Sequence, residues 1–90
     1  MVKMFRKGKS YFFRAVTYHL VGEIVTIETS PAGVWVELKN ASWIADSGRF
    51  TQAIKDGKLN EVEPVGKAYL NLASVTDAFP WVHELPKEQK

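Results

Sequence analysis

The sequence predicts a mostly β fold, a small bent antiparallel barrel with one short helix inserted around residues 47–56. Three observations carry this expectation. Aromatic and β-branched residues fill long stretches at a period of two, the pattern of half-buried strands. Only the segment after Asp46 spaces its apolar residues three and four apart, as a helix requires. Ninety residues are too few for two full sheets, and short twisted strands hide their unpaired edges most economically by curling toward closure.

Residues 1–9 read as a basic N-terminal arm, 10–85 as a single small barrel domain and 86–90 as a solvated tail. From Tyr11 to Thr29 the run YFFRAVTYHLVGEIVTIET reads as one strand, bent or bulged at Gly22, with Val25, Ile27 and Thr29 on its buried face. SPAG, residues 30–33, is a proline-initiated turn closed by glycine. VWVELK resumes the alternation with Val34, Val36 and Leu38 inward and Trp35, Glu37 and Lys39 outward. The two segments therefore pair as a hairpin, and Trp35 on its polar face needs a cover.

Asp46 or Ser47 is placed to cap a helix of about two and a half turns. Phe50, Ala53 and Ile54 form its apolar side, Lys55 lies in its last turn and Gly57 fits the position after the C-cap. So short a helix is marginal alone, and its simplest support is Trp43 with Ile44. KLNEVEPV is an edge strand or extended connection, because Pro64 lacks the N–H that a central strand needs. GKAYLNLASV forms a strand with Ala68, Leu70 and Leu72 on one face and Tyr69, Asn71 and Ala73 on the other. TDAFPWVHEL, broken at Pro80, reads as a turn and a short terminal strand around Trp81 and Val82.

The absence of cysteine excludes disulfides and thiolate metal sites. A core this thin lies close to the limit of stability, which makes association with a partner an expectation. MVKMFRKGKS lacks the apolar run of a secretion signal, and no stretch is long and apolar enough to cross a membrane, so a cytoplasmic protein with no membrane partner is expected. The net charge of +2 is unevenly spread: Lys3, Arg6, Lys7, Lys9 and Arg14 place +5 in the first fourteen residues and leave −3 for the rest. That asymmetry fits either a solvated arm or a segment facing a polyanion.

Enzyme chemistry finds little to work with. His19 lies within an apolar strand and reads as a structural imidazole, and His83 beside Glu84 reads as a surface residue. No set of His, Asp and Glu has metal-ligand spacing, so neither metal nor cofactor is expected. Glu61 and Glu63 share one face of a single extended segment, where they meet water instead of converging on a substrate from two elements. The most site-like group is Asp46-Ser47-Gly48-Arg49. Ser47, Gly48 and Arg49 could hold an anion at the helix N-terminus, unless Asp46 takes those donors itself.

Three Trp, three Tyr and five Phe exceed what so thin a core needs. Trp35, Tyr69, Phe79 and Trp81 are candidate anchors of an oligomer or partner interface. Lys3, Arg6, Lys7, Lys9 and Arg14, interleaved with Tyr11, Phe12, Phe13 and Tyr18, are a candidate platform for single-stranded nucleic acid. The modest net charge favours the interface, since a binder relying on several phosphate contacts presents more positive charge.

The segment GEIVTIETSPAGVWVELKNASWI resembles the first half of an Sm-like barrel, in which a bent strand after a glycine and a long hairpin end in a hydrophobic strand. AYLNLASVTDAFPW resembles its second, shorter strand pair. From Tyr11 to Pro86, with RAVTYHLVGEIV, ASWIADSGRF and GKLNEVEP as the most specific pieces, the chain is similar to a group of short phage, prophage and environmental-virus proteins with an Sm-like fold. The resemblance implies an Sm-like or SH3-like barrel, ring assembly and a bacterial host cell. It carries over no nucleic-acid site, because the two loop positions that contact RNA in Sm proteins read TSPAGVW and NLASVTDAF here. The expected function is that of a non-enzymatic, ring-forming structural or adaptor protein of viral setting, a homo-pentamer or hexamer. An RNA- or single-stranded-DNA-binding ring and a monomeric protein-interaction module are the alternatives.

Overall fold

The computed structural model describes residues 4–16 and 18–90. The elements follow in the order β1 (Ser10–Ala15), β2 (His19–Ser30), β3 (Gly33–Asp46), α1 (Phe50–Asp56), β4 (Glu61–Asn71) and β5 (Val75–Pro80). A 3-10 turn, Leu72–Ser74, joins the last two strands. All five strands pair antiparallel in one sheet of order β4-β3-β2-β1-β5. The sheet curls strongly into a half-barrel, compatible with the small bent barrel expected.

The run from Tyr11 to Thr29 is two strands, not one. Arg14 pairs with His19, and just beyond that pair the Ala15 N–H donates to the Tyr18 carbonyl at 2.9 Å. The reversal escapes the sequence reading because Ala-Val-Thr-Tyr contains none of the Gly, Pro, Asn or Asp residues that mark such turns.

The bend of the sheet falls at one level on three strands. Pairing of β2 with β3 shifts at Gly22, and pairing of β3 with β4 shifts on either side of Ala41. Asn40 is left-handed at φ 49°, and Gly66, opposite Ala41, has φ 80°. Bulges of this kind leave a residue unpaired, bend the strand and increase its twist. At Gly22 the neighbouring strand leaves little room for a side chain: a Cβ there would lie 3.2 Å from the Cβ atoms of both Ala41 and Leu38. The bulge expected at this glycine is present. A second shift between Ile24 and Thr26 reverses the phase that strict alternation predicts. Ile24 is buried while Val25 and Thr29 are exposed, and Ile27 alone of the expected set packs on the core.

Curling divides the core in two. Tyr11, Phe13, Leu20, Ile24, Val36, Leu38, Ala41 and Leu70 fill one face of the sheet. Phe12, Val21, Ile44 and Val62 lie on the other, beneath Ala53 of α1, Leu59 and Trp81. The helix is shorter than expected, with seven residues, and Arg49 at its N-cap makes no side-chain cap bond. Asp46 instead accepts the Gly48 N–H at 2.8 Å in a turn that precedes the helix. At the other end Gly57 takes the expected left-handed conformation, φ 73°, and donates to the Ala53 carbonyl. Phe50 and Ile54 pack beside Ile44 as expected, whereas Trp43 remains 39% exposed.

Pro64 lies on an edge strand, as its missing N–H demands, but β4 continues through Gly66 to Asn71 and joins two segments that the sequence reading separates. The final strand is β5, ahead of Trp81, and not a strand around Trp81 and Val82. Residues 86–90, expected as a solvated tail, are exposed from Lys87 onward but return to the domain at Lys90, behind Leu85. Leu85 packs on the cluster beneath α1, and Lys90 exchanges backbone hydrogen bonds of 2.9 and 3.1 Å with Val62. The basic N-terminal segment also lies on the domain where it is described: Phe5 packs on the first cluster, and Gly8 and Lys9 bond with Ile24 at 2.8 and 3.0 Å. Among the described residues no helix is long and apolar enough to cross a membrane.

Candidate interaction surface

Side chains on one face of a sheet recur every second residue and lie beside their cross-strand partners. The register therefore sets two rows of three on the outer face of β2, β3 and β4: Glu28, Trp35 and Asn71, then Thr26, Glu37 and Tyr69. Trp35 and Tyr69 are diagonal neighbours with Glu37 between them. They are 42% and 63% exposed and, being neighbours, form a paired aromatic patch. With Thr26, Glu28, Ser30 and Glu37 they line a groove of about 480 Å³. The Lys67 Nζ lies 3.8 Å from Glu37 of this groove, and further along β2 and β3 the Lys39 Nζ lies 3.5 Å from Glu23.

Of the four aromatic anchors expected from sequence, the structure brings together Trp35 and Tyr69 and places the other two elsewhere. Trp81 is a core residue, only 4% exposed and stacked on Phe12 at 5.8 Å between ring centroids. Pro80 ends β5, and the Trp81 N–H donates to the Ser10 carbonyl at 2.9 Å as the chain leaves the sheet beneath α1. Phe79 is half-buried, edge-on to Phe50 at 5.0 Å.

The basic candidates separate in the same way. Lys3 lies outside the described residues. Arg6, Lys7 and Lys9 are exposed around the turn at Gly8, with no carboxylate in ion-pair range among the described residues. Arg14, however, is already occupied and does not join a phosphate-facing set. Its Nε and Nη2 donate to the two Asp77 carboxylate oxygens at 2.7 and 2.5 Å, and its guanidinium lies 4.3 Å from the Phe50 ring centroid and 5.4 Å from that of Phe79. The hydrogen bond raises the Arg14 pKa and holds Asp77 below the usual carboxylate range. His19 packs on Phe12 at 5.5 Å, and burial, reinforced by the Arg14 charge, pushes its pKa down.

At the candidate anion site, the Asp46 carboxylate takes the Gly48 N–H that an anion would need, and Arg49 is exposed to solvent. Ser47, Gly48 and Arg49 thus form a self-satisfied turn ahead of the helix. His83 is no frayed surface residue. Its Nε2–H donates to the Ile54 carbonyl at 2.7 Å, and its ring stands edge-on to Trp81 at 5.0 Å, which ties the C-terminal segment to the last turn of α1. Glu61 and Glu63 are exposed. Among the described residues no three of His, Asp and Glu gather where they could hold a metal.

Two further features bear on association. From Glu63 to Asn71 the outer edge of β4 has no strand beside it among the described residues, and the outer edge of β5 has none along its length. Beside β5 lies an apolar pocket of about 420 Å³, lined by Phe5, Tyr11, Leu72, Val75, Ala78 and Pro80 among others. The sequence reading missed the acidic part of the groove, Glu28 and Glu37, although the outward position of Glu37 beside Trp35 was its signal. The chain matches no protein-family model, no curated protein and no solved structure.

Proposed function

We propose that this chain is a non-enzymatic structural or adaptor protein of viral setting that assembles with copies of itself into a closed ring, a pentamer or hexamer, in the cytoplasm of a bacterial host. The observation that supports this reading is the pair of edges that have no strand beside them among the described residues, β4 from Glu63 to Asn71 and β5, at opposite ends of one curled sheet. An unpaired edge is a template for another strand. When β4 of one copy pairs with β5 of the next, the contact is head-to-tail, and such contacts end in a ring when the rotation between copies closes. Tyr69, on β4 itself, and Trp35, on the neighbouring strand, lie beside one of these edges and add exposed aromatic area to it.

The chain has no cysteine, so single spin labels can be placed without background. A Thr76→Cys copy labelled on β5, mixed with a Val65→Cys copy labelled on β4, should show dipolar coupling at about 10–25 Å, since paired strands lie about 4.8 Å apart and the labels add the remainder. Mixed samples without such coupling would contradict edge pairing.

A second reading is supported by the exposed trio Arg6, Lys7 and Lys9: binding of single-stranded nucleic acid through a basic turn. Its test is binding to an unstructured oligonucleotide at about 50 mM salt. Each phosphate contact contributes about 0.7 to the logarithmic salt slope, so neutralising all three residues should lower the slope by about 2. Undetectable binding by the unaltered chain would end this reading.

A further inference from the structure

This inference rests on reading the outer face of β2, β3 and β4 as a partner surface, and it names the chemistry of the partner. We propose that the groove between Trp35 and Tyr69 binds an arginine side chain presented by a partner protein. Charge carries the argument first. The groove contains two carboxylates, Glu28 and Glu37, and none of its lining residues is basic. Glu28 stands directly across from Trp35, and Glu37 directly across from Tyr69. A cation seated between the aromatics therefore meets a carboxylate beside each ring.

Cation chemistry then selects arginine. A guanidinium is planar and weakly hydrated, rests on aromatic rings and offers a fork of N–H donors that matches carboxylate oxygens. An ammonium is compact and strongly hydrated, and it gains less from the rings. The chain makes this recognition once within itself: the Arg14 guanidinium rests 4.3 Å from the Phe50 centroid while donating two hydrogen bonds to Asp77. The outer groove offers the same pairing of aromatic ring and carboxylate at the surface. Lys67, the cation nearest to Glu37, is a weak competitor, 3.8 Å away with a side chain 63% exposed.

The test is a titration of the isotope-labelled protein with acetyl-Gly-Arg-Gly-amide, followed by the indole N–H of Trp35 in proton–nitrogen spectra. Trp35→Phe identifies that signal. A saturable shift is expected, with the citrulline peptide, which keeps the shape and loses the charge, bound at least about tenfold more weakly. Glu37→Gln should weaken arginine binding by about tenfold, and Lys67→Met should strengthen it by removing the competing cation. Lys67 is exposed and Glu37 half-buried on an internal strand, so each variant is compared first by its whole spectrum, and an otherwise unchanged spectrum shows that the fold is intact. Equal response to citrulline, a saturable shift with an N-acetylglucosamine trimer but none with arginine, or no shift by about 10 mM peptide would overturn the proposal. Light scattering on the same samples separates this inference from the one beneath it. Arginine binding by a monomer defeats ring assembly and leaves the groove standing, whereas a ring that ignores arginine overturns the groove alone.

Discussion

Replacing Trp81 with alanine removes the centre of the cluster beneath α1. The indole is 4% exposed, stacks on Phe12 at 5.8 Å and packs with Ala53, Leu59 and Val62. A buried tryptophan withdraws roughly 200 Å² of surface from water, which at about 25 cal/mol per Å² sets an upper figure of about 5 kcal/mol. Measured truncations of large core aromatics cost about 3–5 kcal/mol. A loss of about 4 kcal/mol is therefore expected for Trp81→Ala. A domain of this length has only about 5–13 kcal/mol in total, so a third or more of its stability should disappear and Tm should fall by about 15–30 °C. Trp35→Ala is the contrast. Trp35 is 42% exposed on the outer face, and its loss should cost less than about 1 kcal/mol in the dissociated chain. Urea unfolding followed by far-ultraviolet circular dichroism, at a concentration where mass measurements show a single species, compares the two. A Trp81→Ala chain within about 1 kcal/mol of the unaltered protein, or a Trp35→Ala chain that loses more than it, would refute the placement of Trp81 in the core.

Gly22→Ala should destabilise by about 1–3 kcal/mol, because the new methyl would meet Cβ atoms of Ala41 and Leu38 at 3.2 Å, and neither can swing aside; unchanged urea unfolding would show that the bend relaxes freely. Ser42 is fully buried, and its hydroxyl has no hydrogen-bond partner among the described residues. Ser42→Ala should be neutral or stabilising by about 1 kcal/mol, and a clear loss in the same assay would reveal a bond to that hydroxyl. Acid should weaken the fold in two stages. The folded pKa of His19 lies below 6.5, so the unfolded chain takes up that proton first, and stability present above about pH 6.5 declines as the pH falls toward the folded value. The folded pKa of Asp77 lies below 3.8, so the stability from its bond to Arg14 holds above that value and is lost as the pH falls through the depressed pKa. Urea midpoints measured downward from neutral pH test both stages, and His19→Gln should remove the upper one. A midpoint that rises on acidification would contradict the assignment.

What was legible in the sequence follows from which signals are local. The hairpin of β2 and β3 was visible because Ser30-Pro31-Ala32-Gly33 marks its turn and Trp35, Val36, Glu37 and Leu38 alternate without interruption. The end of α1 was visible because Gly57 alone there tolerates φ 73° without strain. The β1–β2 reversal is hidden because the residues between the strands include no Gly, Pro, Asn or Asp to mark it, and the phase of Val25 is hidden because no residue there marks the register shift between Ile24 and Thr26. The burial of Trp81 is illegible for a related reason: it depends on packing with Ala53 of α1, Leu59 and Val62, contacts remote in sequence. The same limit applied to Arg14, whose partner Asp77 is distant in the chain and adjacent only across the β1–β5 pairing. The groove was half legible, with Trp35 and Tyr69 readable as outward residues but their diagonal meeting across Glu37 fixed only by the register of β3 on β4.

The mass of the chain in solution, measured by light scattering on a sizing column over a roughly hundredfold concentration range, tests the central claim most directly. Pairing of the β4 and β5 edges into a closed ring predicts one discrete multiple of 10.2 kDa, five or six copies, that persists on dilution. A mass of 10.2 kDa at every concentration would contradict it.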